Sequence, residues 1–131
     1  MKLGPFIDAI GEATKHSYTA AASTTISTGG SFTIQPGNYI VHTLVGISTA
    51  ASVTGCYGGY STDSGATSFS DYSITGTSPN VVAMVCSATL DASCSTSVLV
   101  NIATTTTFYP KLKTYGAGAT MRVTFTFERI G

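Results

Sequence analysis

The sequence predicts an all-β fold: a jelly-roll-like β-sandwich with a short N-terminal arm that is helical or extended. Three observations support this prediction. The 16 serines and 23 threonines make up about 30% of the 131 residues, and threonine is β-branched, which favours the pleated surfaces of strands. Helix signals end near Ser17. From there on, turn-forming residues recur at roughly the 8- to 12-residue spacing that is typical of sandwiches.

The N-terminal arm is predicted to span residues 1–16, which leaves residues 17–131 for the sandwich domain. Apolar residues recur at helical spacing behind Pro5, which suits a first helical turn, so we expect a helix over residues 3–15. A segment this short is not stable alone and must dock on its own sandwich or on a partner. The apolar side chains available for docking are Leu3, Phe6, Ile7 and Ile10.

The clearest strand signals flank a Pro36-Gly37 pair. Phe32 and Ile34 alternate with polar residues, and the pair itself supplies the fixed φ and the positive-φ residue of a type II turn. Residues 39–47 are apolar on both faces, which is typical of a central strand. We therefore predict a hairpin that joins the two segments.

The middle of the chain contains weaker signals. Glycines separate short apolar runs, which we interpret as strands joined by turns. The predicted strands lie at residues 57–61, 67–74, 81–90 and 97–103, with a loop at 76–80 and a connection at 90–95.

Two strands are predicted near the C-terminal end of the sequence. The first covers residues 108–113, where Pro110 requires a sheet edge or a bulge because proline lacks the N–H of a ladder hydrogen bond. The second covers residues 120–130 and alternates with a period of two. Its apolar side is formed by Met121, Val123, Phe125 and Phe127.

Charge excludes several functions. Only 9% of the residues are charged and the net charge is zero, against roughly 25% charged residues in an average domain. Six scattered Lys and Arg residues cannot neutralise a phosphate backbone, so we expect no nucleic-acid partner. No apolar run reaches the roughly 20 residues of a membrane span. A neutral surface associates readily, and a homo-oligomer, with a trimer favoured, is therefore expected.

The usual catalytic arrangements are not recognisable in the sequence. A triad could be drawn from Ser61, His42 and Asp71, but 16 serines make such a coincidence nearly certain. His42 is better interpreted as a polar residue of a sheet. Asp63 and Asp71 lie in a Ser- and Gly-rich stretch without calcium-loop spacing, and the histidines and cysteines lack zinc spacing. We expect no enzyme activity, no metal and no cofactor.

The three cysteines, Cys56, Cys86 and Cys94, have no C-x-x-C spacing. An odd number cannot pair completely, which favours reduced thiols and synthesis in a cytoplasm. The possibility that Cys86 and Cys94 form a disulfide across a hairpin stays open. All three are expected to be dispensable for assembly.

Seven tyrosines and no tryptophan suggest contact with other proteins, because tyrosine is frequent at interfaces. The cluster that contains Tyr57 and Tyr60 is the best candidate for an exposed contact surface. The alternative is a carbohydrate-binding or fibre-head module, in which these tyrosines and Asp63 would line a concave site.

Two segments resemble small β-sandwich virion proteins of tailed bacteriophages, and most closely their head decoration, or cement, proteins. They are Gly-Ser-Phe-Thr-Ile-Gln-Pro-Gly-Asn-Tyr-Ile-Val at 30–41 and Gly-Ala-Thr-Met-Arg-Val-Thr-Phe-Thr-Phe at 118–127. The first is also similar to hairpins in trimeric jelly rolls of the tumour-necrosis-factor kind.

The resemblance to decoration proteins implies a virion protein without catalytic activity, made in the host cytoplasm. It implies an oligomer that is clamped over the joints between major capsid subunits, with an arm that reaches a neighbouring subunit. The partners would be the major capsid protein or other virion proteins.

Overall fold

The computed structural model describes residues 10–21, 25–48, 55–62, 64–65, 92–115 and 120–131. Within these ranges it contains eight strands and no helix, which confirms the all-β class. The strands are β1 (Ala13–Ala21), β2 (Ser27–Thr28), β3 (Phe32–Ile34), β4 (Gly37–Ser48), β5 (Gly55–Ser61), β6 (Ala92–Ile102), β7 (Thr106–Tyr115) and β8 (Thr120–Arg129). No helix in the described residues is long and apolar enough to cross a membrane.

Two antiparallel sheets pack against each other as a sandwich, as the sequence predicts. The first sheet has the strand order β1-β8-β4-β6. In the second, β7 is central: β5 pairs with one side of it, and β2 and β3 follow each other along the other side. Because β4 lies between β8 and β6, its prediction as a central strand is confirmed.

The core between the sheets is mainly aromatic. The predicted apolar side of β8 is fully buried from Met121 to Phe127. Tyr60 of β5 reaches this side from the second sheet, and its ring centroid lies 5.1 Å from those of Phe108 and Phe125, nearly perpendicular to both. Edge-to-face pairs of this kind add stability beyond the burial of their area. β8 therefore contributes four fully buried side chains to the first-sheet side of the core.

The predicted hairpin at Pro36-Gly37 is wrong. β3 pairs with β7 in the second sheet, whereas β4 pairs with β6 and β8 in the first. The turn thus takes the chain from one sheet to the other, and the Tyr39 hydroxyl donates a hydrogen bond of 2.8 Å to the Gln35 carbonyl across it. The turn residues indicated a change of direction, but the pairing partners are distant in sequence.

Of the edge or bulge predicted at Pro110, the edge is wrong because β7 is central, but a bulge does face Pro110, with its extra residue in the segment between β2 and β3. The registers of β2 and β3 against β7 differ by one residue, so the interval between Thr28 and Phe32 holds one residue more than the facing interval of β7. Pro110 lies in that facing interval, and its carbonyl accepts a 2.9 Å hydrogen bond from the Gly29 amide. The missing N–H therefore falls where the ladder is already interrupted.

β1 begins earlier than the sequence predicts. It pairs with β8 from Ala13 onward, so residues 13–16 belong to the first sheet and not to a separate arm or helix. A bulge precedes it: Arg129 accepts from the Gly11 amide and donates to the Glu12 carbonyl, and Gly11 has a φ of 89°. This is the conformation in which glycine is favoured. Residues 1–9 lie outside the described part.

The remaining predictions divide into three groups. The strands at 57–61, 97–103 and 108–113 correspond to β5, β6 and β7. The connection predicted at 90–95 is wrong from Ala92 onward, because β6 already begins there and pairs with β4. The elements predicted at 67–74, 76–80 and 81–90 lie outside the described residues.

Candidate functional site

The two tyrosines predicted to form a contact surface are buried. Tyr57 is 6% exposed and Tyr60 is 1% exposed. Burial raises the pKa of Tyr60 far above its ordinary value. The prediction of an exposed tyrosine cluster is therefore wrong, and the concave carbohydrate site built on it loses both of its aromatic rings. Tyrosine is amphipathic, so the sequence alone did not distinguish a core ring from a surface ring.

Gly58, one of the two glycines between these tyrosines, explains why the cluster is buried. A Cβ atom at Gly58 would lie 2.2 Å from a methyl carbon of Val45 and 3.2 Å from one of Val123. β5 therefore approaches the first sheet so closely at this point that a side chain cannot fit. The Gly-rich signal around residue 58 marks close packing in the core.

The apolar arm residues are only partly in view. Leu3, Phe6 and Ile7 lie outside the described residues. Ile10 is 75% exposed and directly precedes the bulge at the start of β1.

The side chains of the first sheet that point away from the core form an extended and largely exposed surface. We call it the outer face. Pairing registers arrange its side chains as a grid across β1, β8, β4 and β6. It consists of Lys15, Ser17 and Thr19 of β1, Arg122, Thr124, Thr126 and Glu128 of β8, Asn38, Ile40, His42 and Leu44 of β4, and Ser93, Ser95, Ser97, Leu99 and Asn101 of β6.

Hydrogen bonds connect neighbouring strands across this grid. The Ser17 and Thr124 hydroxyls lie 3.1 Å apart, and the Arg122 Nε donates to the Thr19 hydroxyl at 3.1 Å. At the other end, Asn101 donates a 2.6 Å bond to the Asn38 side chain. The polar side chains thus hold one another in place along the strands.

His42 is the centre of the most chemically suggestive group. Its Nδ1 lies 2.7 Å from the Ser97 hydroxyl, and its Nε2 lies 3.4 Å from a carboxylate oxygen of Glu128. The sequence did not suggest this trio, since its members come from three strands far apart in the chain. The triad drawn from Ser61 is not assembled, because Ser61 is buried in the second sheet and Asp71 lies outside the described residues.

The geometry around His42 fits a polar ladder better than a catalytic centre. The side chains of His42 and Glu128 are 46% and 42% exposed on an open sheet surface. Stabilisation of an oxyanion depends on donors held in a site that excludes water. The surface next to His42 forms only a shallow depression of about 290 Å³, lined also by Lys15, Leu44 and Thr126.

Three of the four large apolar residues exposed in the described part lie at one end of the first sheet. They are Ile10, Leu99 and Ile130, exposed by 75%, 75% and 41%. The registers bring two of them near each other: Leu99 pairs with Ile40, which pairs with Glu128, and Ile130 donates to the Asn38 carbonyl. Ile10 precedes β1, at the opposite edge of the sheet from Leu99. A second shallow depression of about 400 Å³ lies between Leu99, Ile130 and Asn101. We call Leu99 and Ile130 the apolar end.

Two polar residues of the interior were not anticipated. His16 stacks on Phe32, with ring centroids 4.2 Å apart, and burial lowers its pKa. Lys111 is 1% exposed, and its Nζ donates to the Thr28 hydroxyl at 2.8 Å and to the Ser64 carbonyl at 2.9 Å. Both residues fix elements of the sandwich to each other.

No group of three or more His, Cys, Asp or Glu side chains in the described residues could hold a metal ion. Cys94 faces inward on β6 opposite Val45. Cys86 lies outside the described part, so the possibility that it pairs with Cys94 stays open. No protein family, curated protein or solved structure matches the chain.

Proposed function

We propose that the protein is a structural virion protein: a capsid decoration, or cement, protein that bridges and stabilises major capsid subunits. The capsid as partner comes from the sequence resemblance at residues 30–41 and 118–127. The observation that carries the proposed mode of binding is the apolar end of the first sheet. Exposed apolar groups that lie together commonly mark surfaces at which proteins bind.

The composition of the outer face supports a protein partner. Its hydroxyl and amide groups can donate and accept hydrogen bonds, and the charges of Lys15, Arg122 and Glu128 leave a net charge of only one positive unit. Such a surface suits a protein partner with little charge, because protein interfaces combine apolar contacts with surrounding polar groups. It does not suit nucleic acid, which requires a cluster of cations.

Side-chain order also supports a binding role for this face. The cross-strand hydrogen bonds of Ser17, Asn38 and His42 already restrict their rotamers in the free protein. Less side-chain entropy is then lost when a partner covers them. In this proposal the apolar arm residues Leu3, Phe6 and Ile7 provide a second contact with a neighbouring subunit.

The first test is the composition of virus particles purified from the host that carries the gene. Quantitative mass spectrometry should find this chain in a fixed ratio to the major capsid protein, in hundreds of copies per particle. Absence from the particles would refute the proposal.

The second test locates the binding surface. Leu99→Lys places a charge in the apolar end, and Thr107→Lys places the same charge on an exposed position of the second sheet. Co-sedimentation with capsids that lack the protein should fall at least about tenfold for Leu99→Lys, and should be unchanged for Thr107→Lys. Equal binding by both variants would place the interface elsewhere.

A further inference from the structure

The first sheet has an edge at β1 with no pairing strand among the described residues. On its other side β1 pairs with β8 over all nine of its residues. A long, regular edge strand offers unpaired N–H and C=O groups to a further strand. Which residues of β1 can pair with a further strand depends on which of them direct their backbone N–H and C=O groups away from β8.

The hydrogen bonds at the start of β1 determine the phase of the ladder. Glu12 and Arg129 form a hydrogen-bonded position, and such positions alternate along an antiparallel pair. The even-numbered residues of β1 therefore bond to β8. The backbone groups that point to the free edge belong to Ala13, Lys15, Ser17, Thr19 and Ala21.

We infer that β1 pairs with β1 of a second copy of this chain, antiparallel, across a two-fold axis at Ser17. In this register all nine residues of each strand are paired, and the two first sheets join into one continuous sheet of eight strands. The interface is isologous and closes at two copies, unlike the trimer that the sequence favours. It does not depend on binding to a capsid.

The side chains favour this register over its neighbours. Lys15 lies opposite the partner's Thr19, whereas a shift of the axis to residue 15 would place two lysines opposite each other and repel. Ser17 lies opposite the partner's Ser17, where two small hydroxyl side chains fit. A shift by one residue would place the inward-facing residues of one β1 strand opposite the outward-facing residues of the other. Because paired residues must point to the same face of a sheet, this register is excluded.

The inward row at this edge also suits a partner. His16 would lie opposite the partner's Tyr18, which forms an aromatic cross-strand pair on the core side. In the single chain the His16 Nε2 and the Thr14 Oγ1 are buried without a hydrogen-bond partner.

Sedimentation equilibrium of the full chain, over a range of concentrations, tests the pairing. We expect a mass of twice 13.4 kDa. Ser17→Pro removes an outward N–H that the β8 ladder does not use, and Ser17→Lys places like charges at the axis; both should yield a monomer with an unchanged circular dichroism spectrum. The control Ser95→Lys lies on the outer face in β6, at the opposite edge of the sheet from β1, and should remain dimeric.

A charge-swap experiment tests the axis itself. Ser17→Lys and Ser17→Glu should each be monomeric alone and should form a mixed dimer when combined. Amide exchange should show the same pattern: protection of Lys15, Ser17 and Thr19 should increase at least tenfold with protein concentration, while that of His16 and Tyr18 should not change. A wild-type monomer or trimer, dimeric Ser17 variants, or failure of the mixture to pair would overturn the inference.

Discussion

The two faces of the first sheet are made of alternate residues of the same four strands, yet they differ in almost every physical property. On β8 the inward residues from Met121 to Phe127 are apolar and fully buried. The outward residues of the same strand, such as Arg122 and Glu128, are charged or carry hydroxyl groups. A period of two is therefore sufficient to give one strand both a core side and a candidate binding side.

The residues of the two faces are constrained by different physical requirements. On the inner face, close packing restricts the size of each side chain, because Tyr60 and Gly58 of the second sheet must fit against it. On the outer face, the side chains are linked by hydrogen bonds between strands. One small polar residue can replace another there with little loss of stability. Mutations should therefore affect stability more strongly on the inner face, and binding on the outer face.

The largest effect should come from Phe125→Ala. Removing a fully buried ring that contacts Tyr60 should reduce the free energy of unfolding by about 3–5 kcal/mol. The neighbouring Thr126→Ala faces the other way and should change it by less than about 0.5 kcal/mol. Urea unfolding followed by circular dichroism measures both, and similar losses would mean that the faces are not distinct.

Gly58→Ala should have the next largest effect. The added methyl group meets Val45 at a distance that no real Cβ contact shows, so the sheets must separate locally. We expect a loss of about 1–3 kcal/mol in the free energy of unfolding. The matched change Gly30→Ala adds a methyl group in open space and should cost far less. An equal loss at both positions would contradict close packing at residue 58.

Thr43→Val should stabilise the protein. The Thr43 hydroxyl faces inward, is fully buried and lacks a hydrogen-bond partner. Replacing it with a methyl group removes the cost of its desolvation, a gain of about 1 kcal/mol. Thr124→Val, by contrast, removes a hydroxyl that is bonded to Ser17 on the outer face. A rise in the urea midpoint for Thr43→Val and a fall for Thr124→Val would bear out the comparison; the reverse would refute it.

Acidification should destabilise the fold through His16. Burial lowers the pKa of His16 below its ordinary 6.5, so below that pH the unfolded chain binds a proton that the folded chain resists. Stability should therefore fall as the pH drops below about 6.5. His16→Phe keeps a ring stacked on Phe32 and should lose this part of the pH dependence. Urea midpoints of both proteins across this range provide the measurement, and parallel curves would contradict it.

Glu128→Gln should have the smallest effect. Its carboxylate lies 3.4 Å from His42 on an exposed surface, where ion pairs contribute roughly 0–1 kcal/mol. We expect a change in the urea midpoint close to the error of the measurement. A large loss would show that the His42 group stabilises the sheet more than its exposure suggests.

The sequence was most informative where a local pattern determines the outcome. The alternation of β8 identified its buried side correctly, because a period of two requires no knowledge of the partner strand. The proline at position 110 likewise indicated a bulge, since the missing N–H is a property of that residue alone.

The sequence was least informative where the partner is distant. The helical spacing of Phe6, Ile7 and Ile10 led to a helix that would include Lys15, but pairing with β8, over a hundred residues away, makes that residue part of a strand. The same holds for Pro36-Gly37, whose flanking strands join different sheets. It holds for the His42 group too, which only the registers of β4, β6 and β8 bring together.

The position of β8 has a consequence for how the protein is made. Among the described strands β8 alone pairs with both β1 and β4, and it is the last of them to leave the ribosome. Until it emerges, the first sheet cannot form and the core lacks the apolar side of β8. Contacts between residues so far apart also slow folding. Newly made chains should therefore need chaperones most in the last seconds of translation.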